Sequence, residues 1–121
     1  MPESPTRFVV LRHEGIPNPH FDLMFEQAPG STLATWRSDV WPITQPCPLD
    51  HLDDHRRDYL EYEGPVSGDR GHVSRVAAGT CVFHAETPFV VVIRFVEPTS
   101  GGLLLLKRDG AWHALPQDVS A

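Results

Sequence analysis

The sequence predicts an all-β protein, a small antiparallel β-barrel of about eight strands with one or two short helical segments. Hydrophobic residues recur at every second position in many short runs, which is the pattern of a strand with one buried face. The 12 prolines and 9 glycines imply frequent turns between short elements. Short strands that follow one another at regular spacing are typical of antiparallel barrels and sandwiches.

Three strands are predicted in the first third of the chain. Residues 7–13 (RFVVLRH) form the first, which ends on His13. Residues 20–26 (HFDLMFE) form the second, in which apolar side chains alternate with polar ones. Residues 32–37 (TLATWR) form the third and follow the turn-like segment APGS.

The middle of the chain has a different composition. Residues 39–48 carry three prolines and are predicted to be a loop. Residues 49–64 are predicted to hold one or two helical turns, with Leu49, Leu52 and Tyr59 as the apolar positions.

Five more strands are predicted in the second half, bounded by Gly, Pro, Asp or Ser: residues 71–76, 79–85, 89–96, 102–108 and 111–115. Asp109-Gly110 lies between the last two and predicts a hairpin with a type I′ turn, which requires positive φ. The 121 residues are interpreted as a single domain, with a core of about residues 7–116.

Composition limits the function classes. The formal net charge of −6 is unfavourable for a protein that coats nucleic acid, although a small cleft with local positive charge stays compatible with it. The N-terminal residues do not resemble a signal peptide, and the longest apolar runs are far shorter than the ~20 residues of a membrane-spanning helix. With two cysteines in no paired spacing, we expect a cytoplasmic protein with reduced thiols and no membrane partner.

Histidines and aspartates are concentrated in the first half of the chain. His20 and Asp22 lie two positions apart on a predicted strand, so their side chains leave the same face about 7 Å apart. His13 ends the preceding strand, which would lie beside His20 in an antiparallel pair. Three such ligands with open positions would suit a catalytic divalent metal. The alternative is that this face is polar and solvated.

The order of several motifs resembles the 3′-phosphoesterase domain of bacterial DNA ligase D, and most closely its short stand-alone versions. That family has a strand ending in histidine, a His-x-Asp strand ending in glutamate, a strand ending in tryptophan, an Asp-His pair, a tyrosine four residues later and a Glu-Gly pair. The resemblance extends from about Arg7 to the strands after Gly101. The matching residues here are His13, His20, Asp22, Trp36, Asp54, His55, Tyr59, Glu63 and Gly64.

This resemblance implies a manganese-dependent enzyme (or one using another divalent transition metal) that removes a 3′-phosphate or a terminal ribonucleotide in DNA repair. Its partners would be DNA or RNA-tailed DNA 3′ ends, with a repair ligase or polymerase acting in trans. His13, His20 and Asp22 would be the metal ligands. His55 would contact the scissile phosphate, and Tyr59 would donate a hydrogen bond to the phosphate or to the water on the metal.

The sequence departs from the family where the family has an arginine two residues after the aspartate, since Met24 occupies that position. A thioether cannot bind phosphate as a guanidinium does. Two alternatives therefore stay open: a catalytically weak or inactive metal-binding module that binds nucleic-acid ends or a repair partner, and a phosphoesterase redirected to a small phosphorylated molecule. The candidate replacement cations are Arg12, Arg37, Arg70 and Arg75.

The remaining aromatic residues and histidines are expected to be structural. Trp36, Trp41 and Trp112 are predicted to be core residues and not base-stacking surfaces. If one of them stacks on a base, an exposed Trp41 in the proline-rich loop would be the best candidate. The histidines expected at the surface are His51, His72, His84 and His113.

Overall fold

A computed structural model describes residues 4–118 of the chain. Within these residues the secondary structure consists of nine strands and a single turn of 3₁₀ helix, Arg57–Leu60. The strands are β1 (Thr6–Glu14), β2 (His20–Glu26), β3 (Leu33–Ser38), β4 (Cys47–His55), β5 (Gly64–Pro65), β6 (His72–Thr87), β7 (Val90–Glu97), β8 (Gly102–Arg108) and β9 (Ala111–Gln117). None of the helical structure in the described range is long and apolar enough to cross a membrane.

The strands form one antiparallel sheet that closes on itself. Its order is β1-β2-β3-β4-β9-β8-β7-β6, and pairing of β1 with β6 closes the ring, while the short β5 is added to β6. The closing pair runs from Thr6 opposite Cys81 to Glu14 opposite His72. The predicted all-β class with about eight antiparallel strands is confirmed, and the closed sheet is barrel-like.

The main hydrophobic core lies on one face of this ring, to which every large strand contributes alternate residues. Trp36 of β3 is 2% exposed and meets Trp112 of β9 edge to face, with ring centroids 5.5 Å apart. Both tryptophans are therefore core residues, as predicted. Trp41 is half-buried and packs edge to face on Phe95 at the border of this core, which agrees with its predicted core position and leaves no exposed ring for stacking.

A second, smaller core lies on the opposite face of β1 and β2. The segment that contains the 3₁₀ turn covers this face. As a result β2 is buried on both faces, including the face that carries His20 and Asp22, and the alternative of a solvated polar face is wrong. The buried members of the second core are Val9, Leu11, Met24, Leu33, Leu60 and Val73.

Two segments differ from the sequence prediction. Residues 47–55, predicted as loop and helix, form β4, which pairs with β3 along most of its length and with β9 over three residues. Only the single 3₁₀ turn remains of the predicted helical segment. The two strands predicted at 71–76 and 79–85 are one continuous strand, β6, which pairs with β1 from His72 to Cys81. Gly79 permits a close backbone approach within it, because a Cβ there would lie 1.9 Å from the Glu97 carbonyl oxygen.

The hairpin between β8 and β9 has the predicted geometry. Asp109 and Gly110 have φ values of 53° and 80°, both in the left-handed region that a type I′ turn requires. This turn brings β9 back along β8 in full register, with Lys107 opposite Trp112.

Candidate metal centre and cleft

Antiparallel pairing of β1 and β2 brings the three predicted metal ligands together. His13 is the direct cross-strand partner of His20, and their ring centroids are 5.0 Å apart. Asp22 follows two residues later on the same face of β2. One potential ligand atom from each residue lies within 4.8 Å of the other two, so this group could hold a metal ion.

The protonation of His20 follows from its hydrogen bond. Nδ1 lies 2.8 Å from the carbonyl oxygen of Asn18, which only accepts, so Nδ1 carries the proton. Nε2 therefore presents its lone pair to the Asp22 carboxylate, 3.2 Å from Oδ1. The His20 side chain is 4% exposed and that of Asp22 is 6% exposed, so water has little access to either.

His13 is arranged in the same way with the nitrogens exchanged. Nε2 donates to the carbonyl oxygen of Arg70 at 2.7 Å, which leaves the lone pair of Nδ1 directed at the site. Nδ1 lies 3.8 Å from Oδ2 of Asp22. A backbone carbonyl behind each imidazole is the arrangement that orients histidine ligands in metal sites.

The buried atoms of this group fit a cation. Neither His20 Nε2 nor Asp22 Oδ1 has a hydrogen-bond partner within the described residues, although both are buried. Buried polar atoms without partners are costly and rare in folded proteins. A proton on His20 Nε2 would allow a single hydrogen bond, from Nε2 to Asp22 Oδ1. A metal ion would instead bind the lone pairs of both imidazoles and the carboxylate together. Two nitrogen ligands and one oxygen ligand suit a divalent transition metal.

A cleft of about 330 Å³ opens over the three ligands. The end of β4 and the 3₁₀ turn place His55 and Tyr59 in its wall, with ring centroids 5.7 Å apart. His55 Nδ1 donates to the carbonyl oxygen of Asp53 at 2.9 Å, so its Nε2 is the nitrogen left for a ligand. The structure thus brings both predicted catalytic residues to the predicted metal ligands.

Only two of the four candidate arginines line the cleft. Arg37 is the cross-strand neighbour of Asp22, and its Nε is buried without a partner in the described chain. Arg70 also lines the cleft, with its Nε bonded to the Ser67 carbonyl oxygen at 2.6 Å. Arg12 lies over the ring of Phe21 and belongs, with Arg75, to the arginines outside the cleft lining.

Met24 lies in the wall of the cleft beside the metal group. Its side chain is 1% exposed and packs into the second core with Leu11 and Leu33. It contributes apolar surface at the position where the 3′-phosphoesterase family, which the sequence resembles, has an arginine. Any phosphate clamp here must therefore come from another residue of the cleft wall.

Sequence reasoning missed the contact that holds the 3₁₀ turn in place. Glu26, at the end of β2, accepts hydrogen bonds from the backbone N–H groups of Arg7 and Gly30 at 2.9 and 3.1 Å, and forms an ion pair with Arg57. Burial alone would raise the pKa of Glu26, but these hydrogen bonds and the charge of Arg57 outweigh it and hold the pKa below 4.5. Tyr59 is thereby tied to β2. No local sequence signal pointed to this contact, because Arg57 lies 31 residues after Glu26.

A larger cavity of about 410 Å³ lies away from these groups, between β4, β8 and β9. It is lined mostly by apolar residues and holds one thiol, Cys47. Burial raises the pKa of that thiol, with a smaller opposing hydrogen bond from Ser38, so Cys47 is poorly suited to be a nucleophile. This cavity therefore offers no activated thiol.

Comparison with known proteins does not extend this description. No protein-family model matches the chain, and a search of curated proteins finds no similar sequence. The function must be inferred from the cleft itself.

Proposed function

We propose that this chain is a metal-dependent phosphoesterase that acts on nucleic-acid 3′ ends in DNA repair, removing a 3′-phosphate or a terminal ribonucleotide. The observation that carries the proposal is the convergence of His13, His20 and Asp22 within 4.8 Å of one another, in a cleft that also holds His55 and Tyr59. The same residues carry the resemblance to the 3′-phosphoesterase domain of DNA ligase D.

The proposed cofactor is Mn²⁺ or another divalent transition metal, held by His13, His20 and Asp22. Imidazole nitrogen supplies a borderline-soft ligand, and the carboxylate supplies charge. When bound, such an ion polarises a phosphoryl oxygen and orients a water molecule. The two backbone carbonyls behind the imidazoles orient the rings so that the other nitrogen of each faces the site.

The other residues of the cleft would bind the phosphate and stabilise its developing charge. The Nε–H group of Arg37 is buried and has no hydrogen-bond partner in residues 4–118. Arg37 lies opposite Asp22 on the neighbouring strand. It can therefore supply the phosphate contact that Met24 cannot. His55 Nε2, when protonated, and the hydroxyl of Tyr59 are further donors on the cleft wall.

The direct test is incubation of the purified chain and Mn²⁺ with a primer that ends in a 3′-phosphate. We expect a 3′-hydroxyl product with the wild type and none with His20→Ala or Asp22→Ala. His84→Ala is the matched control, because His84 is exposed and lies on β6 outside the cleft lining. Full activity of His20→Ala would contradict the ligand assignment.

Met24 favours a second candidate, a catalytically weak or inactive module that binds metal and nucleic-acid ends or a repair partner. The buried thioether occupies part of the cleft wall that a phosphate-binding residue would otherwise provide. In that case the 3′-phosphate primer would bind in the presence of Mn²⁺ but stay intact at high protein concentration. Detection of the hydroxyl product would rule out the inactive form of this candidate.

A further inference from the structure

The wall of the cleft continues into a second, smaller depression. Tyr59 and Val66 line both the cleft and this groove, which has a volume of about 260 Å³. We call it the tyrosine groove; its other residues include Arg56, Asp58, Tyr62 and Ser67. A ligand bound at the metal group can therefore extend past Tyr59 without leaving the surface of the protein.

Two tyrosine rings form one side of the tyrosine groove at a fixed angle. The rings of Tyr59 and Tyr62 meet edge to face, with centroids 6.0 Å apart. The Tyr62 hydroxyl donates to the carbonyl oxygen of Pro65, which fixes the ring, while the residue remains 38% exposed. An exposed aromatic ring held in this way is a stacking surface for a nucleobase.

The charge of the groove is balanced. The side chain of Arg56 is exposed and has no hydrogen-bond or ion-pair partner among residues 4–118, so its guanidinium can contact one phosphate. Asp58 also lines the groove and offsets that charge. Binding there should depend on stacking more than on electrostatic attraction, and its salt dependence should be weak.

Building on the proposed function, we propose that the tyrosine groove binds the nucleotide that precedes the 3′-terminal one. Its base would stack on Tyr62 and its phosphate would contact Arg56, while the terminal phosphate occupies the metal cleft. The substrate class is then a nucleic-acid strand of at least two nucleotides, and a free mononucleotide or other small phosphorylated molecule would occupy only half of the site.

The test compares two probes on the full chain with saturating Mn²⁺. One is a deoxynucleoside 3′-methylenephosphonate, which cannot be hydrolysed, and the other is a deoxydinucleotide with the same 3′ group. By calorimetry the dinucleotide should bind about tenfold more tightly, a typical gain for one stacked base. Tyr62→Ala and Arg56→Ala should each remove much of this gain and leave the mononucleoside affinity unchanged.

Three controls make the result specific. Tyr62→Phe keeps the ring and loses only the hydroxyl contact with Pro65, so it should retain most of the gain. Phe89→Ala and Arg108→Ala remove an exposed aromatic ring and an exposed cation elsewhere, and should change neither affinity. If the wild type bound the two probes with equal affinity, or if Tyr62→Ala lowered the affinity for both probes equally, the inference about the tyrosine groove would be overturned while the proposed function would stand. If neither probe binds, the proposed function fails together with it.

Discussion

At the scale of single residues, the site depends on which nitrogen of each imidazole carries the proton. In His20 the carbonyl of Asn18 fixes the proton on Nδ1, and in His13 the carbonyl of Arg70 fixes it on Nε2. As a result, Nδ1 of His13 and Nε2 of His20 keep their lone pairs, and both of these nitrogens face Asp22. His-x-Asp on a strand could be recognised in the sequence, but these carbonyl contacts come from the loops around residues 18 and 70.

Arg37 is the residue whose role the sequence left open, because four arginines were equivalent candidates. Strand register separates them: Arg37 lies beside Asp22, whereas Arg12 is occupied by Phe21 and by Glu14 at 3.7 Å. If Arg37 binds the phosphate, Arg37→Ala should lower kcat/KM on a 3′-phosphate primer by about 100-fold, since a lost charge-assisted hydrogen bond costs roughly 1.5–3 kcal/mol.

The matched comparison is Arg12→Ala, which removes an arginine from β1, on the other side of β2. We expect it to retain kcat/KM within about threefold, because Arg12 does not line the cleft and its long, partly exposed ion pair with Glu14 is weak. Metal affinity should be unchanged in both variants. Similar losses in both variants would mean that general positive charge, and not a specific clamp, attracts the substrate.

At the scale of elements, β4 shows where sequence reasoning failed. Pro46 and Pro48 indicated a loop, and the spacing of Leu49 and Leu52 indicated a helix. The segment is extended because β3 pairs along it, and Pro48 is tolerated near its start, where β9 pairs over only three residues. Tertiary pairing overrides local preference in such a strand. The 3₁₀ turn after it was predictable only as a short helical segment.

The Glu26–Arg57 ion pair holds the 3₁₀ turn over the cleft. In Arg57→Ala, Glu26 keeps its two backbone donors but loses its charged partner, so the free energy of unfolding should fall by about 1–3 kcal/mol. Chemical denaturation measures this loss. Because Tyr59 lies on the same turn, turnover should fall while Mn²⁺ affinity is retained.

Arg7→Ala is the matched control for this prediction. Its side chain pairs with Glu61 at 3.1 Å, but both partners are largely exposed, so the loss should be less than about 1 kcal/mol. An equal destabilisation by the two variants would show that the Glu26–Arg57 pair has no special role.

The same pair predicts a pH dependence of stability. The folded-state pKa of Glu26 lies below 4.5, so its ionised form stabilises the fold fully above the unfolded-state pKa. That contribution is lost as pH falls through the folded-state pKa. The stability difference between wild type and Glu26→Gln should therefore shrink as pH is lowered from about 5 to 3, measured by denaturation at each pH. A constant difference would contradict the assignment.

At the scale of the whole molecule, the closed ring was predictable from the number and spacing of short strands. The pairing that closes it was not, because β1 and β6 are far apart in sequence and no local signal links them. The second core was also unpredictable: alternation in β2 suggested one buried face, whereas the covering segment buries both. The metal group is enclosed for the same reason.

Cys81 reports on closure of the ring, because it lies opposite Thr6 in the β1–β6 pair. Burial raises the pKa of its thiol to about 12, with a smaller opposing hydrogen bond from Thr6. In a Cys47→Ser background at pH 8, alkylation of Cys81 should require opening of the ring. Its rate should rise with denaturant at the slope of global unfolding, measured by mass spectrometry. A fast, denaturant-independent reaction would mean that the β1–β6 pair opens locally.

The central claim is that His13, His20 and Asp22 bind one divalent cation. Electron spin-echo spectroscopy of Mn²⁺ added to the full chain tests it most directly, since imidazole ligands couple their nitrogen nuclei to the ion. The account predicts coupling from two histidine nitrogens in the wild type and from one in His13→Ala, with tight binding lost in Asp22→Ala. A wild-type spectrum without nitrogen coupling, or one unchanged by these substitutions, would contradict it.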